Sequence, residues 1–217
     1  MKRTTLILLA LLLGLTTMAQ EREDRDRGMR TIFGGSGIRS NGGYGAVTTA
    51  YSEIDNRDAI VIGGRGAWLI NHQLGIGLAG YGFMTENKFD ATLNDDYQLL
   101  GGYGGLIFEF IANPNSPIHL SFPLTIGAGG VSYSQRDSFV RNSDFDRLSE
   151  DSQAFFVVEP GVELEMNMLR FMRLAVGVSY RYTSDMDLTY NGSGQRILDT
   201  DALHGLTGGI TLKFGKF

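Results

Sequence analysis

Residues 172–182 read MRLAVGVSYRY, and this run decides the fold. Met172, Leu174, Val176, Val178, Tyr180 and Tyr182 fall on one side of a two-residue period, with Arg173, Ala175, Gly177, Ser179 and Arg181 on the other. Successive side chains of a strand point to opposite faces, so the run predicts a strand with one bulky apolar face and one small or charged face.

The same period recurs on both sides of it. Residues 154–166 set Val158, Pro160, Val162, Leu164 and Met166 against Glu159, Gly161, Glu163 and Glu165. Residues 118–132 set Ile118, Leu120, Phe122, Leu124 and Ile126 against His119, Ser121, Pro123, Thr125 and Gly127. Further runs lie at 43–54, 58–70, 74–84, 98–111 and 203–214, which makes eight candidate strands. In 58–70, Ile60, Ile62, Trp68 and Ile70 oppose Gly63, Arg65 and Ala67. In 98–111, Leu100, Leu106, Phe108 and Phe110 oppose Gly101, Tyr103 and Glu109. The first run is ambiguous, with Val47, Thr49 and Tyr51 the better apolar face. The connections "NHQ", "ANPNSP" and "NML" are short, whereas residues 85–97, 133–153 and 183–202 form long ones; only the "DNR" turn breaks the alternation. An even strand number with short turns at one end and long loops at the other is the layout of a transmembrane barrel.

Which face points inward follows from volume. Eight strands enclose an interior just wide enough for side chains to fill. Several bulky residues from every strand would overfill it, while a glycine-rich face carrying a few long charges fits. A soluble, lipocalin-like barrel would also show Lys and Glu along its whole polar face, and this one is mostly glycine. The apolar face therefore points outward. Trp68, Phe108, Phe110 and Phe214 fall beside the short turns and Tyr180 and Tyr182 near the long loops, as two aromatic girdles would.

Composition agrees. There are 30 glycines against 4 prolines, 11% aromatic residues and no cysteine, so an exported chain must hold together without disulfides. The opening MKRTTLILLALLLGLTTMAQ has a basic start, a short apolar run and small residues before Gln20, which predicts a cleavable signal peptide over 1–19. Its apolar run is well short of the ~20 residues that span a bilayer, and no cysteine follows to carry a lipid. Residues 20–42 read as a charged, then glycine-rich periplasmic segment, and 43–217 as the barrel. With 24 acidic residues against 19 basic ones and no basic run, nucleic acid is not an expected partner.

Architecture, alternating runs such as RLAVGVSYRY and the terminal Phe217 resemble the small eight-stranded outer-membrane β-barrels of Gram-negative bacteria, the OmpX- and OmpA-transmembrane-like group. The resemblance covers 43–217 and the signal peptide, rests on no site motif, and implies an all-β, up-and-down antiparallel barrel in the outer membrane. Expected partners are then outer-membrane lipids, with the chain a monomer.

Three groups of residues could carry chemistry. Arg65, Glu109, Glu159, Glu163, Glu165, Arg173 and Arg181 all fall on the inward face. Buried charges need partners, so the expectation is a structural charge network that plugs the lumen; a narrow channel for small solutes or ions is the alternative. The long loops hold Glu86, Asp90, Asp95 and Asp96 against Lys88. They also hold Asp137, Asp144, Asp146, Glu150 and Asp151 against Arg136, Arg141 and Arg147, then Asp185, Asp187, Asp199 and Asp201 against Arg196. These acidic loops are expected to be solvated, with divalent cations as conceivable ligands because hard cations take oxygen donors. A third reading, a lipid-modifying enzyme, needs a nucleophile and base at one membrane face. Of the three histidines, His72 and His119 lie at the short-turn end and only His204 near the loops, with no triad spacing. No catalytic residue, cofactor or resident metal is expected. The formal G-x-G-x-x-G at Gly75, Gly77 and Gly80 lies inside a strand with no helix after it, so it is not a dinucleotide site; "NGS" at Asn191 carries no weight in a bacterial setting.

In the closing strand Leu206, Ile210, Leu212 and Phe214 are even-numbered and face the lipid. Phe217 is odd. It reaches that face only if a bulge at Gly215 shifts the phase; otherwise the resemblance implies an export and assembly signal in the unfolded chain.

Overall fold

The computed structural model describes residues 41–91, 93–135, 149–186, 188–190 and 196–217. The expected signal peptide and all but the last two residues of the expected N-terminal segment lie outside the described residues. Asn41 and Gly42 already belong to the first strand.

Among the described residues there are nine strands: β1 (Asn41–Ile54), β2 (Arg57–Ile70), β3 (Leu74–Thr85), β4 (Lys88–Asp90), β5 (Asp95–Ala112), β6 (Ile118–Gln135), β7 (Ser149–Leu169), β8 (Met172–Thr183) and β9 (Gly205–Lys216). All but β4 form a closed antiparallel sheet in which each strand pairs with the next, β3 with β5 and β9 with β1. Closure leaves no sheet edge along the barrel, which hydrocarbon requires of any spanning sheet. The small β4 pairs only with the start of β5 and turns the expected loop 85–97 into an extension of the wall.

The turns follow from their residues. Asp55 and Asn56 take φ of 55° and 54°, and Asn71 and His72 take 51° and 59°. Two successive residues at positive φ make the two-residue turn that matches strand twist, and Asn and Asp tolerate it best.

Each strand keeps one face in and one out. Leu78, Val178 and Leu206 are 66%, 59% and 67% exposed, whereas their chain neighbours Ala79 and Thr207 are buried. A belt of exposed Val, Ile, Leu and Phe on every spanning strand suits lipid and would not be soluble in water. We expect Val178→Arg, near the middle of β8, to lower unfolding free energy in lipid vesicles by about 2–4 kcal/mol, checked by urea titration of tryptophan emission.

Glycines permit close strand approach at particular points. A Cβ on Gly77, on the inward side of β3, would sit 1.8 Å from the Gly66 carbonyl oxygen and 2.6 Å from Ala67 Cα, both backbone. At Gly80, on the outer face, nothing lies within 4 Å. Gly77→Val is therefore expected to abolish the compact, heat-modifiable form on gels, and Gly80→Ala to keep it.

Strand lengths are unequal. β5, β6 and β7 run 18, 18 and 21 residues, against 12 to 14 for the other barrel strands. One flank thus rises past the loop-side rim as a wall.

Candidate functional site

The lumen is built from the inward positions. Lys213 on β9 is its centre: its ammonium lies 2.5 Å from Glu109 Oε1 and 3.2 Å from Glu163 Oε2, and it contacts Glu165 Oε1 as well. Arg65 Nη2 donates to Glu163 Oε2 at 2.6 Å and lies 3.5 Å from Glu109. Arg173 Nη1 donates to Glu165 Oε2 at 3.2 Å, and the Tyr44 hydroxyl donates to Glu109 Oε2 at 2.6 Å. Ser121 adds a bond to Glu163. His119 places Nε2 3.0 Å from Glu165 Oε2 and Nδ1 3.0 Å from the Ser116 carbonyl. Both ring nitrogens thus have an oxygen partner.

All seven charges read from the sequence are buried on the inner side, but they do not form one cluster. Arg65, Glu109, Glu163, Glu165 and Arg173 meet around Lys213. Arg181 turns toward the loop end, where Nε donates to the Leu203 carbonyl at 2.8 Å and the guanidinium lies against the rings of Phe83 and Tyr103. Glu159 accepts from Ser179 Oγ at 2.6 Å. Glutamates of β7 and arginines of β8 are close enough to pair across the ladder. Glu165 and Arg173 do, while Glu159 and Arg181 diverge because Pro160 interrupts the pairing between Val158–Tyr182 and Gly161–Ser179.

Sequence reasoning missed Lys213, although its signal was present. The lipid-facing residues of that strand are even-numbered, so parity alone sends Lys213 inward. Counting it also equalises the set, giving a fourth cation for Glu109, Glu159, Glu163 and Glu165. The same parity argument would have found Tyr44 on β1. Glu109, Glu163 and Glu165 bring their oxygens close enough to hold a metal ion, but the Lys213 ammonium lies among all three and does that work itself.

Two apolar seals bound the charged layer. At the loop end Ile54, Phe83, Leu99, Val131, Tyr133 and Phe155 pack against Met186, Leu188, Leu198 and Leu203 of the connection between β8 and β9. That connection was expected to be solvated; instead Met186–Thr200 and Ile197–Leu188 backbone bonds shape it, and its apolar side chains enter the barrel mouth. Asp90, expected among solvated loop carboxylates, is buried and accepts from the Tyr133 and Tyr190 hydroxyls at 2.9 and 2.7 Å. In the β1–β2 turn, burial pushes the Asp55 carboxyl above its ordinary range, against the pull of Arg57 at 3.3 Å. Loop residues 136–148 lie outside the described residues.

At the opposite end the β9 ladder runs regularly to Lys216 with no bulge. Phe217 therefore keeps its odd phase and turns inward, stacked on Tyr44 at 6.1 Å and lying under the Arg173 guanidinium at 4.0 Å. The girdle candidates Trp68, Phe108, Phe110, Tyr182 and Phe214 are exposed on the outside, and Tyr180 is half-buried beside Tyr182 at 4.5 Å. His204 places Nε2 2.9 Å from the Thr183 carbonyl, with its ring edge against Tyr182.

No protein-family model matches the chain, and no curated protein matches it in sequence. Among solved structures, Neisserial surface protein A superposes with a TM-score of 0.54 at 11% identity, over 82% of this chain and 97% of that one. Ail of Yersinia pestis, in complex with the heparin analogue sucrose octasulfate, gives 0.45 at 12% identity over 81% and 97%. OprG of Pseudomonas aeruginosa gives 0.42 at 14% over 80% and 93%. With its closed eight-strand pairing, its apolar exterior and its agreement with the Neisserial protein, this chain has the fold of the small eight-stranded outer-membrane β-barrels.

Proposed function

We propose that the protein is a non-catalytic, non-conducting barrel of the bacterial outer membrane, exported by a signal peptide in residues 1–19, that works through its loop-side surface. The observation that carries this reading is the lumen. A charge network with Lys213 at its centre fills it, and apolar clusters lie above and below. Hydrated ions crossing this layer would have to displace side chains that are buried and bonded to one another. His204, the base that a lipid-modifying reaction would call on, faces a backbone carbonyl and an aromatic ring instead of a nucleophile. What remains for contact is the raised wall of β5, β6 and β7 with its acidic loops, carrying exposed Phe89 and Phe156. Outer-membrane lipids are the partners of the apolar belt, and a sheet with no free edge along its spanning part supports a monomer. Divalent cations are the ligands we propose for the loop carboxylates other than Asp90.

Two measurements test the reading. Fractionation should place the protein in the outer membrane, with a gel mobility that changes on boiling. Purified barrel in planar bilayers should add no steps to the baseline; discrete steps that vanish when the protein is omitted would reject the sealed lumen.

A further inference from the structure

Three of the four lumen glutamates touch a cation: Glu109 and Glu165 meet Lys213, and Glu163 meets Arg65. Glu159 is the exception. Among the described residues no cation lies within salt-bridge distance of it, although it is only 8% exposed. Its Oε1 accepts from Ser179, and its Oε2 has no hydrogen-bond partner. Arg181 would be the natural counter-charge across the β7–β8 ladder. Its Nε and Nη2 are directed instead to the Leu203 carbonyl and to Ser52 Oγ, at 2.8 and 3.4 Å.

Glu159 lines a cavity of about 60 Å³ in the middle of the lumen. The space exists because small residues and a proline meet there: Pro123, Gly161, Gly177 and Gly209 all border it. Hydroxyl oxygens supply much of the remaining lining, from Thr48, Thr125, Ser179, Thr207 and Thr211. Arg65 and Glu163 border it too, paired with each other at 2.6 Å, and Arg65 also lies 3.5 Å from Glu109.

We propose that this chamber binds one monovalent inorganic cation, of sodium or potassium size, against Glu159 Oε2. A buried carboxylate without a counter-charge is costly, several kcal/mol by the effective desolvation penalty. A hard cation among oxygen donors removes that penalty; the donors here are the Glu159 carboxylate and neutral hydroxyls, while Glu163, which also borders the chamber, is already paired with Arg65 and Lys213. A single carboxylate without a counter-charge matches a single positive charge; a divalent ion would leave excess charge facing Arg65. At about 15 Å³ for each water-sized body, the volume holds the ion and a few waters, one of which can accept from Arg65 Nε, a buried donor that has no partner. With apolar clusters on both sides, the ion is captured as the barrel folds and exchanges slowly afterwards.

The test compares barrel refolded into detergent micelles in sodium chloride with barrel refolded in choline chloride at equal ionic strength, since choline is too large for the chamber. Wild type should melt about 3–5 °C higher in sodium, as expected for an ion present at roughly tenfold its Kd, and Glu159→Gln should melt equally in both salts. Crystals of wild type soaked in thallium(I) should show an anomalous peak within bonding distance of Glu159 Oε2. Equal wild-type midpoints, a sodium response that survives Glu159→Gln, or a chamber holding water only and no thallium would each overturn the proposal. The thallium measurement uses the wild type, so it decides the matter even if the variant fails to fold.

Discussion

Lys213→Met should be the most damaging single substitution in the lumen. The variant keeps most of the side-chain volume and deletes the one ammonium that Glu109, Glu163 and Glu165 share. Removing one member of a buried ion pair costs about 3–5 kcal/mol, because the charge left behind stays desolvated. Here three carboxylates lose a partner together, and Arg65, shared between Glu163 and Glu109, and Arg173, on Glu165, leave two cations for three buried charges. The expected result is a fall of at least that size in unfolding free energy in lipid vesicles, or no folded band at all on unboiled gels. Lys213→Arg should do better, since a guanidinium keeps the charge. Combining Lys213→Met with Glu165→Gln should recover part of the loss by removing one of the orphaned charges. If the single variant unfolds at wild-type urea, the central role given to Lys213 is wrong.

Leu188→Asp should act in a different place. Leu188 is fully buried where the β8–β9 connection enters the barrel mouth, and an ionised carboxylate cannot stay in that apolar cluster without a partner. The barrel ladders do not run through the connection, so expulsion of the loop is expected to leave the strands paired. Protease added to intact vesicles should then cut between residues 184 and 203 at least tenfold faster than in wild type, while the boiling-dependent gel shift persists. Bilayer conductance should stay at baseline, because the charged layer beneath is untouched. Loss of the gel shift together with the cleavage would show that the loop is part of the barrel's stability and not a separate cover.

The difference between these two variants reflects how much of the molecule could be read from its sequence. Strands that face lipid on one side and a narrow lumen on the other cannot avoid alternation, so the spanning runs and the inward set were legible from parity. Residues 133–135 and 149–153 were not, because strand that stands clear of the hydrocarbon is under no such constraint. Met186 and Leu188 were hidden by their setting: two apolar residues among aspartates look like solvated loop unless the hole they fill is known. The divergence of Glu159 from Arg181 was also out of reach, since Pro160 marks where the ladder can break but not which way the side chains beside it then turn. Phe217 was half legible. Its parity was plain, but that the ring packs on Tyr44 and Arg173 depends on how the mouth closes.

The pairing of β1 with β9 has a kinetic consequence. Seven of the eight barrel seams join strands consecutive around the sheet through a local connection, but this one brings Gly43 beside Lys216. Loop-closure entropy makes such a contact late in assembly. Lys213 rides on the late strand, and the carboxylates it serves sit on β5 and β7, so until the last seam zips those glutamates face one another with too few cations. An almost finished barrel is thus electrostatically frustrated, and its final step releases that repulsion all at once. Open-seamed intermediates should therefore be short-lived, and folding should look cooperative despite a sheet assembled from hairpins.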